Sequence, residues 1–222
     1  MSDLTLIIPA KNEKESLPKV LDEIKGFDFK KNVILEASDR LTIEAVKNYD
    51  CKIIYQDSKG YGDALIKGIE TVTTELFCIF NADGSFDPKE LETMIKKIKD
   101  DKNDFVFASR YEKNCGSDDD TFVTFVGNYI FTYLGKIFFK LKITDILYTF
   151  VMARTSCAKK LKLTAKDFSF CIELPIKAKR AGYKICTSKS YERSRIAGKK
   201  KVNAFKDGLK ILFSMIKLFL KV

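Results

Sequence analysis

Residues 75–85 have the sequence ELFCIFNADGS, in which an apolar stretch is followed at once by a polar turn. A short apolar run of this kind is typical of a strand in a parallel sheet that is covered on both faces. The segment LTLIIP at residues 4–9 has the same character and is followed by the polar residues Lys11-Asn12-Glu13. Two such strands indicate an α/β fold whose ligands bind at the carboxyl ends of the strands.

Strand and helix patterns alternate through the first half of the chain. Between the strands, apolar residues such as Leu17, Val20 and Leu21 recur at helical spacing. This alternation predicts a mostly parallel, Rossmann-like sheet that is flanked by helices and joined by right-handed crossovers. The predicted strands are 4–9, 32–35, 52–55, 75–80 and 105–108, and the predicted helices are 14–25, 42–48, 62–72 and 88–99.

The second half of the chain has a different pattern. A polar loop at 114–120 precedes an aromatic-rich segment, 121–142, which has more large apolar residues than one core-facing helical stripe needs. A helix is predicted over 169–180 and a late strand over 184–191.

The segment 205–222 combines a wide apolar face with a stripe of Lys206, Lys210, Lys217 and Lys221. Such a pattern is typical of a helix that lies in the plane of a membrane interface, and the alternative is a helix docked on the domain. We therefore predict a globular domain over 1–204 and an amphipathic interfacial helix over 205–222.

The net charge of +10 is concentrated at the C-terminal end of the chain. Residues 176–222 contain 14 Lys or Arg and 2 acidic residues, whereas residues 1–175 contain 26 basic and 28 acidic residues. This distribution indicates a phosphate-rich partner, with a merely solvated basic surface as the alternative. An anionic membrane surface or a phosphorylated small molecule fits better than nucleic acid, because the aromatic residues are not interleaved with the basic ones as stacking platforms require.

Composition excludes several classes of protein. The 222 residues include no His, which excludes His-based triads, His general bases and His metal ligands. The six Cys form no CxxC pair, and this favours a reducing, cytoplasmic compartment. The first residues, MSDLTLIIPAKNE, lack the basic segment of a signal peptide, and no stretch of 18 uncharged apolar residues predicts a transmembrane helix.

Three motifs carry chemistry, and each has a plain structural alternative. Asp83 follows a buried strand, where a carboxylate can hold a divalent cation, although turns use the same residue types. Gly60-Tyr61-Gly62 opens a predicted helix, where glycines allow a ligand to approach the backbone. The basic cluster from Arg195 to Lys201 follows the last strand, where it can clamp phosphates or lie in solvent.

The order and spacing of the motifs together resemble the family 2 glycosyltransferases of GT-A fold. The resemblance runs from Leu4 to about Leu212 and is strongest to the branch of dolichyl-phosphate mannosyltransferases and polyprenyl-phosphate hexose synthases. The features that carry it are I-P-A-x-N-E from Ile8, G-x-G-x-A from Gly60, A-D-G-S-x-x-P from Ala82, S-R-Y from Ser109, G-Y-K-I from Gly182 and R-x-x-G-x-x-K from Arg195.

The resemblance implies the residues of a site. Asp83 and Ser85 would hold a divalent cation, Mg²⁺ or Mn²⁺. The implied catalytic residues are Asp83, Asp145 and Arg110, of which Arg110 would contact phosphate. Phe150 and Glu173 match further family positions. The residues implied to bind the nucleotide sugar are Pro9, Lys11, Glu13, Glu36, Asn81, Ala82, Arg195 and Lys201.

The chain also departs from the family pattern. Asn81 replaces the first Asp of the D-x-D motif, Ser85 replaces a Gln, and Glu36 replaces the usual Asp. Val151 stands where the family usually has an Arg after its aromatic residue. These departures motivate one alternative, a catalytically impaired module that binds a sugar nucleotide and docks on a membrane.

The activity implied by the resemblance is inverting transfer of a hexose from a UDP- or GDP-linked sugar to a polyprenyl phosphate at the cytosolic membrane face. A phosphate acceptor is largely ionised at neutral pH and needs no strong base, which agrees with a chain that lacks His. The other alternative is a family 2 transferase acting on a hydroxyl group of a polysaccharide or glycan. Asp145 or another carboxylate would then have to take the proton.

Overall fold

The structure, a computed structural model, describes residues 3–198 and 203–220. Its strands are β1 (Leu4–Pro9), β2 (Lys30–Leu35), β3 (Lys52–Tyr55), β4 (Leu76–Ile79), β5 (Phe105–Ser109), β6 (Gly116–Ser117), β7 (Val151–Arg154), β8 (Ile185–Lys189) and β9 (Tyr191–Glu192). Its helices are α1 (Leu17–Glu23), α2 (Arg40–Val46), α3 (Tyr61–Thr71), α4 (Glu90–Lys99), α5 (Phe122–Phe139), α6 (Thr155–Lys160), α7 (Phe170–Arg180) and α8 (Ala204–Leu220).

Seven of the strands form one mixed sheet in the order β3-β2-β1-β4-β7-β5-β8. Neighbouring strands are parallel except at β7, which is antiparallel to both β4 and β5 and places Met152 opposite Cys78 and Val106. Strands β6 and β9 form a separate two-stranded ribbon. The predicted α/β fold with a mostly parallel sheet is confirmed.

Helices cover both faces of the sheet, as the apolar strands require. In β1, Leu6 and Ile8 pack on one side with residues of α1 and α4, whereas Ile7 packs on the other side with residues of α3 and α7. All three side chains are fully buried. Burial on both faces explains why β1 is continuously apolar rather than alternating.

Most predicted elements are present, with ends displaced by a few residues. Strands β1 and β3 have the predicted bounds. The predicted strand at 184–191 is divided into β8 and β9, because β8 pairs with β5 in the large sheet whereas Tyr191 and Glu192 pair with β6. The sequence did not predict β7, whose four residues are too few to show a period and run directly into α6.

Helix α8 is docked on the domain by one side and exposed on the other. Ile211 and Met215 are buried in the core beside α7, and Ser214 Oγ lies 2.9 Å from Ser169 Oγ. The ring of Phe219 packs edge-on against Phe138 of α5, with centroids 5.4 Å apart. The C-terminal helix is therefore docked on the domain, as the alternative prediction held, and it also has the exposed apolar face expected of an interfacial helix.

Helix α5 is also exposed along most of its length. Among the described residues it has the length and apolar composition of a membrane span, although Lys136 interrupts it and the sequence predicted none. Asn128 and Gly135 are nevertheless buried against the domain. One side of α5 therefore belongs to the folded body of the protein.

The reversed direction of β7 shapes the edge of the sheet where ligands bind. The parallel strands β1, β2, β4 and β5 end at this edge, and β7 begins there. The loop before β7 therefore meets the loops that follow the other strands, which is the arrangement from which α/β sheets build their sites.

Candidate active site

A cavity of about 500 Å³ opens at the carboxyl edge of the sheet. Its volume falls within the range of small-molecule sites. Among the described residues, its lining has an excess of acidic groups over basic ones. The carboxylates are Glu13, Glu36, Asp83, Asp119, Asp120 and Glu192, and the cations are Lys11, Arg110 and Arg195.

One wall of the cavity follows β1 and β2. Lys11 Nζ donates a hydrogen bond of 2.9 Å to Glu36 Oε1. The hydrogen bond and charge of Lys11, together with the charge of Lys59, hold the pKa of Glu36 below its ordinary value. Asn12, the residue that follows Lys11, has the left-handed φ of 53° and donates its backbone N–H to the carboxylate of Asp39. Glu36 is therefore ionised at neutral pH and holds Lys11 at the cavity wall.

The turn after β4 presents Asp83 to the cavity. Asp83 is 7% exposed, and its Oδ1 accepts hydrogen bonds from the backbone N–H and the hydroxyl of Ser85, at 3.1 and 2.8 Å. Its Oδ2 lies 3.1 Å from Arg195 Nη1. Ser85 is fully buried and is not part of the cavity lining, so it orients the carboxylate of Asp83.

The segment after β9 covers this turn. The backbone N–H of Ile196 donates to Asp83 O at 2.8 Å, and the backbone N–H of Arg193 donates to Ser85 O at 2.9 Å. Gly84 has a φ of 83°, and a Cβ there would lie 2.4 Å from Ile196 Cδ1. Glycine therefore allows both the left-handed turn and the close approach of the segment that carries Arg195.

Arg195 joins two carboxylates from different parts of the chain. Besides its contact with Asp83, its Nε and Nη2 donate to the two carboxylate oxygens of Asp119, at 3.1 and 3.0 Å. Burial alone would lower the pKa of Arg195, but Asp119 and Asp83 raise it. The guanidinium therefore stays charged beside the metal-ligand position predicted for Asp83.

Arg110 is held in a buried ionic network. Its Nε and Nη2 donate to Asp145 at 2.7 and 3.0 Å, and its Nη1 donates to Glu192 at 2.8 Å. Its guanidinium also lies over the ring of Tyr148, 4.5 Å from the centroid. Burial opposes the charge of Arg110, but Asp145 and Glu192 outweigh it and raise its pKa.

Asp145 lies behind Arg110 rather than on the cavity surface. It is 1% exposed and accepts hydrogen bonds from the side chain and backbone N–H of Arg110 and from Asn128 Nδ2. It is not among the lining residues, whereas Arg110 and Asn128 are. In this arrangement Asp145 acts on ligands through Arg110 and Asn128.

Sequence reasoning missed the wall formed by the polar loop and α5. Asp120 accepts hydrogen bonds from the hydroxyls of Tyr111 and Thr124, at the N-terminal end of α5. The only sequence signal was the acidic run 118–120, which the loop pattern did not distinguish from a solvated turn. The lining residues without a predicted role include Gln56, Asp119, Asp120, Thr124, Asn128, Leu147, Tyr148, Thr149, Phe168, Cys171 and Glu192.

The Gly60-Tyr61-Gly62 motif packs against the protein's own backbone. A Cβ at Gly60 would lie 2.1 Å from Lys166 O, and one at Gly62 would lie 2.1 Å from Ala165 O. The predicted close approach is therefore made by the loop at 165–167, although Gly60 and Tyr61 also line the cavity.

Glu173 fixes this loop. Its carboxylate accepts hydrogen bonds from the backbone N–H groups of Thr164 and Ala165 and from the Thr164 hydroxyl. Burial raises the pKa of Glu173, but the bonds from Lys177, Ala165 and Thr164 more than offset this and lower it. Glu173 is thus a positioning residue for the α3 side of the cavity.

The site fits a divalent cation that takes most of its ligands from a bound diphosphate and water. Within the described residues, no group of three His, Cys, Asp or Glu is placed to hold a metal by itself. Asp83 supplies one carboxylate, and Mg²⁺ is often held by one or two carboxylates plus substrate phosphates. The acidic excess of the lining also favours a cation beside an anionic ligand.

The structure brings most of the predicted site residues to one cavity. Ser85 and Asp145 stand behind it, and Lys201 lies outside the described residues. The predicted residues that line the cavity are Pro9, Lys11, Glu13, Glu36, Asn81, Ala82, Asp83, Arg110 and Arg195.

Comparisons of sequence show which known proteins the chain is similar to. The sequence model described as Glycosyl transferase family 2 matches residues 5–162. An uncharacterized glycosyltransferase of Mycobacterium tuberculosis is 26% identical over 200 residues, which cover 90% of this chain and 89% of that protein. A dolichol-phosphate mannosyltransferase of Pyrococcus furiosus is 28% identical over 119 residues, which cover 50% of this chain and 34% of that protein.

Solved structures share the fold at low sequence identity. A glucosyl-3-phosphoglycerate synthase from Mycobacterium tuberculosis, in complex with Mn²⁺, UDP and glucosyl-3-phosphoglycerate, superposes with a TM-score of 0.76 at 14% identity and covers 97% of this chain and 79% of its own. A mannosyl-3-phosphoglycerate synthase from Rubrobacter xylanophilus has a TM-score of 0.72 at 14% identity and covers 98% and 72%. At these identities the likeness establishes the fold.

Proposed function

The chain belongs to glycosyl transferase family 2, and from this membership we propose that it transfers a hexose from a UDP- or GDP-linked sugar to a polyprenyl phosphate, with inversion at the anomeric carbon. The observation that carries the proposal is the position of α5. Its inward residues Thr124 and Asn128 line the cavity that holds Asp83 and Arg195, whereas its outward residues are apolar and exposed. A lipid-linked acceptor can reach the sugar from this side.

The donor side of the proposal rests on the turn after β4. Asp83 would hold Mg²⁺ or Mn²⁺ together with the donor diphosphate, and the Mn²⁺ and UDP bound by the glucosyl-3-phosphoglycerate synthase support this assignment. The cation, when bound, neutralises charge that develops on the leaving diphosphate. Ser85 orients the Asp83 carboxylate, and Arg195 supplies a fixed positive charge beside it.

The binding of the nucleotide is assigned to the wall after β1 and β2. Pro9, Lys11, Glu13 and Glu36 lie along this wall, and Asn81-Ala82 continue it. Glu36 is ionised and can accept hydrogen bonds from ribose hydroxyls, while Lys11 offers a cation to phosphate.

The acceptor phosphate provides its own nucleophile. Its second pKa lies near ~6, so most of it is a dianion at neutral pH and no general base is required. Arg110 faces this part of the cavity and is fixed there by Asp145 and Glu192. Arg110 would hold the acceptor in line with the anomeric carbon, which is the main demand on the protein in such a displacement.

A hydroxyl acceptor is the second candidate, and the acidic lining favours it. Asp120 reaches the cavity at the start of α5, where it could take a proton from an attacking hydroxyl. The cations of the described lining are all engaged with carboxylates, namely Lys11 with Glu36, Arg110 with Asp145, and Arg195 with Asp119. The mannosyl- and glucosyl-3-phosphoglycerate synthases of similar fold are named for a small phosphorylated product, which also fits this candidate.

The proposal places the protein in the cytoplasm, peripherally bound to the cytosolic face of an anionic membrane. Residues 1–204 form the catalytic domain, and the segment 205–222 provides amphipathic attachment. Each Lys near such a surface contributes roughly 1 kcal/mol, so attachment through the α8 lysines is reversible.

A transfer assay with matched acceptors tests the reaction. Purified protein is given UDP- and GDP-hexoses with Mn²⁺ and one of three acceptors: a polyprenyl phosphate, the same prenol without its phosphate, or 3-phosphoglycerate. We expect product from the polyprenyl phosphate. Product from the prenol or from 3-phosphoglycerate alone would refute the proposed acceptor and support the second candidate.

Site variants test the chemistry and the impaired-module alternative. We expect Asp83→Asn to lower transfer by more than about a hundredfold, because the variant loses the charged ligand of the cation. Asp57→Asn is the control, because Asp57 is an exposed carboxylate that pairs with Lys67 away from the cavity. Full transfer by Asp83→Asn in the presence of a chelator contradicts the assignment of Asp83 as the cation ligand. If the unmodified protein binds the donor but transfers no sugar, the impaired-module alternative is supported.

A further inference from the structure

The outward face of α5 is apolar except at the exposed Lys136. Nine large apolar side chains on this face are exposed, although most helices on a soluble domain turn such residues inward. Lys136 is the single charged residue within the helix. The exposed apolar residues are Phe122, Val123, Phe125, Val126, Tyr129, Ile130, Tyr133, Ile137 and Phe138.

Helix α8 extends this apolar surface. Phe219 contacts both Phe138 and Phe139 at the C-terminal end of α5. Outward-facing apolar residues of α8 continue from there, and its lysines run along the edge of the apolar face. The exposed apolar residues of α8 are Phe205, Leu209, Leu212, Phe213, Ile216, Phe219 and Leu220, and the lysines are Lys206, Lys210 and Lys217. We call this combined surface of α5 and α8 the two-helix surface.

A cationic notch lies where the two helices meet. It is a cavity of about 210 Å³, separate from the active site and lined by Phe138, Phe139, Lys140, Arg180 and Phe219. The guanidinium of Arg180 lies 5.5 Å from the centroid of the Phe139 ring. Lys140 ends α5 with the left-handed φ of 53°, so the chain turns there and the residue borders the notch. Two cations therefore border an aromatic pocket at the margin of the apolar surface.

We propose that the two-helix surface docks on a bilayer containing anionic phospholipid, and that Lys140 and Arg180 bind the phosphate of one such lipid in the notch. The aromatic walls of the notch suit the boundary between headgroups and acyl chains, and the lysine edge of α8 complements anionic headgroups. A second copy of the chain fits less well, because both copies carry a net charge of +10 and would oppose equal edges of lysine.

The inference deepens the membrane location given in the proposed function and adds α5 and a lipid site to it. Because Thr124 and Asn128 face the active site from α5, docking by its outward face sets the cavity next to the lipid headgroups. A polyprenyl phosphate then need not leave the bilayer to reach the donor.

A single tryptophan tests docking directly, because the chain contains none. Tyr129→Trp probes α5 and Phe213→Trp probes α8, and neither residue borders the notch. The full-length variants are mixed with phosphatidylcholine vesicles and with vesicles that also contain phosphatidylglycerol. We expect a blue-shifted emission and quenching by brominated lipid for both probes, with the anionic vesicles only. A change at Phe213→Trp alone would overturn the role of α5.

The notch is tested in the same probe variants by removing its two charges. Lys140→Asn keeps a residue that tolerates left-handed backbone, and Arg180→Gln keeps a long polar side chain. We expect the pair to weaken binding to anionic vesicles by about thirtyfold, from roughly 1 kcal/mol per cation. Lys19→Gln with Lys25→Gln is the control, because it removes equal charge beside α1, on the opposite face of the sheet. Equal losses in the two pairs would overturn the lipid site and leave docking intact.

Other outcomes separate this inference from the proposed reaction. Transfer to a detergent-solubilised acceptor without vesicle binding would overturn docking while the glycosyltransferase assignment stands. A blue shift that grows with protein concentration in the absence of vesicles, with a dimer in sedimentation, would assign the two-helix surface to a second copy and overturn the inference.

Discussion

The buried contact between Arg110 and Asp145 predicts a large loss of stability in the variant Asp145→Asn. The Asp145 side chain is fully buried and accepts two hydrogen bonds from the Arg110 side chain, one from its backbone and one from Asn128. An asparagine keeps the shape but has one acceptor oxygen fewer, places an NH₂ group against existing donors and removes the charge that balances the guanidinium. Breaking a buried pair in this way costs about 3–5 kcal/mol.

This loss is measurable against the stability of an ordinary domain. Domains of this kind unfold with free energies of roughly 5–15 kcal/mol, so the variant loses a large part of the total. For a chain of about this size, 1 kcal/mol lowers the melting temperature by roughly 2–4 °C, so Tm should fall by at least about 6 °C. Urea unfolding at neutral pH gives the free energy, and a thermal melt gives Tm.

The matched control is Asp57→Asn, which breaks the exposed pair with Lys67. It should cost no more than ~1 kcal/mol, because exposed ion pairs contribute little. A double-mutant cycle with Arg110→Met isolates the coupling between Arg110 and Asp145. If Asp145→Asn costs no more than the control, the buried network does not hold this side of the site and the reasoning is wrong.

Four further variants test other parts of the structure. Since folding lowers the pKa of Glu173, the stabilisation by its carboxylate is present above the ordinary carboxyl pKa of roughly 4.3 and is lost as the pH falls through the folded value. Glu173→Gln should therefore lower the free energy of unfolding in urea at pH 7, and this loss should shrink below roughly pH 4. A loss that does not change with pH would contradict this. Gly62→Ala should destabilise by about 1–3 kcal/mol because its Cβ would meet a loop carbonyl oxygen, whereas Gly127→Ala, in open space on α5, should stabilise by up to ~1 kcal/mol in the same assay. Ser85→Ala should weaken Mn²⁺ binding in the presence of UDP by about 10–100-fold, because Asp83 loses its orienting hydroxyl; an unchanged thermal-shift titration would rule out that role.

Residues just after apolar strands were predictable because the sheet fixes their position. Lys11, Glu36 and Asp83 each follow a strand that is apolar enough to recognise in isolation, and parallel strands bring their ends to one edge. The fold class followed from the same pattern.

The other half of the site depends on contacts that leave no local pattern. Asp119 and Arg195 are 76 residues apart in the chain and meet only through the tertiary fold. Strand β7 has too few residues to be recognised from the periodicity of its side chains. Because β7 was not predicted, the sequence could not show that residues 147–149, just before it, line the cavity. The roles of Ser85 and Asp145 behind the cavity likewise depend on burial, which a motif does not encode.

The glycine motif shows a different limit. Gly60 and Gly62 were recognised as positions of close approach, but the sequence does not say whether a ligand or the chain itself makes that approach. The loop that fills the space is held by Glu173, which lies more than a hundred residues away.

The reversed strand β7 lies between β4 and β5 in the sheet, and the two sides of the cavity come mainly from different parts of the chain. The nucleotide side is built mainly from the ends of β1, β2 and β4, whereas the side beside α5 comes mainly from one excursion between β5 and β7 and is completed by Glu192 and Arg195. Because β5 and β7 pair directly with each other, exchange of that excursion leaves their ladder intact. Selectivity for the acceptor can therefore diversify within one contiguous stretch of coding sequence, and chimeras joined at these two strands are a practical route to new specificities.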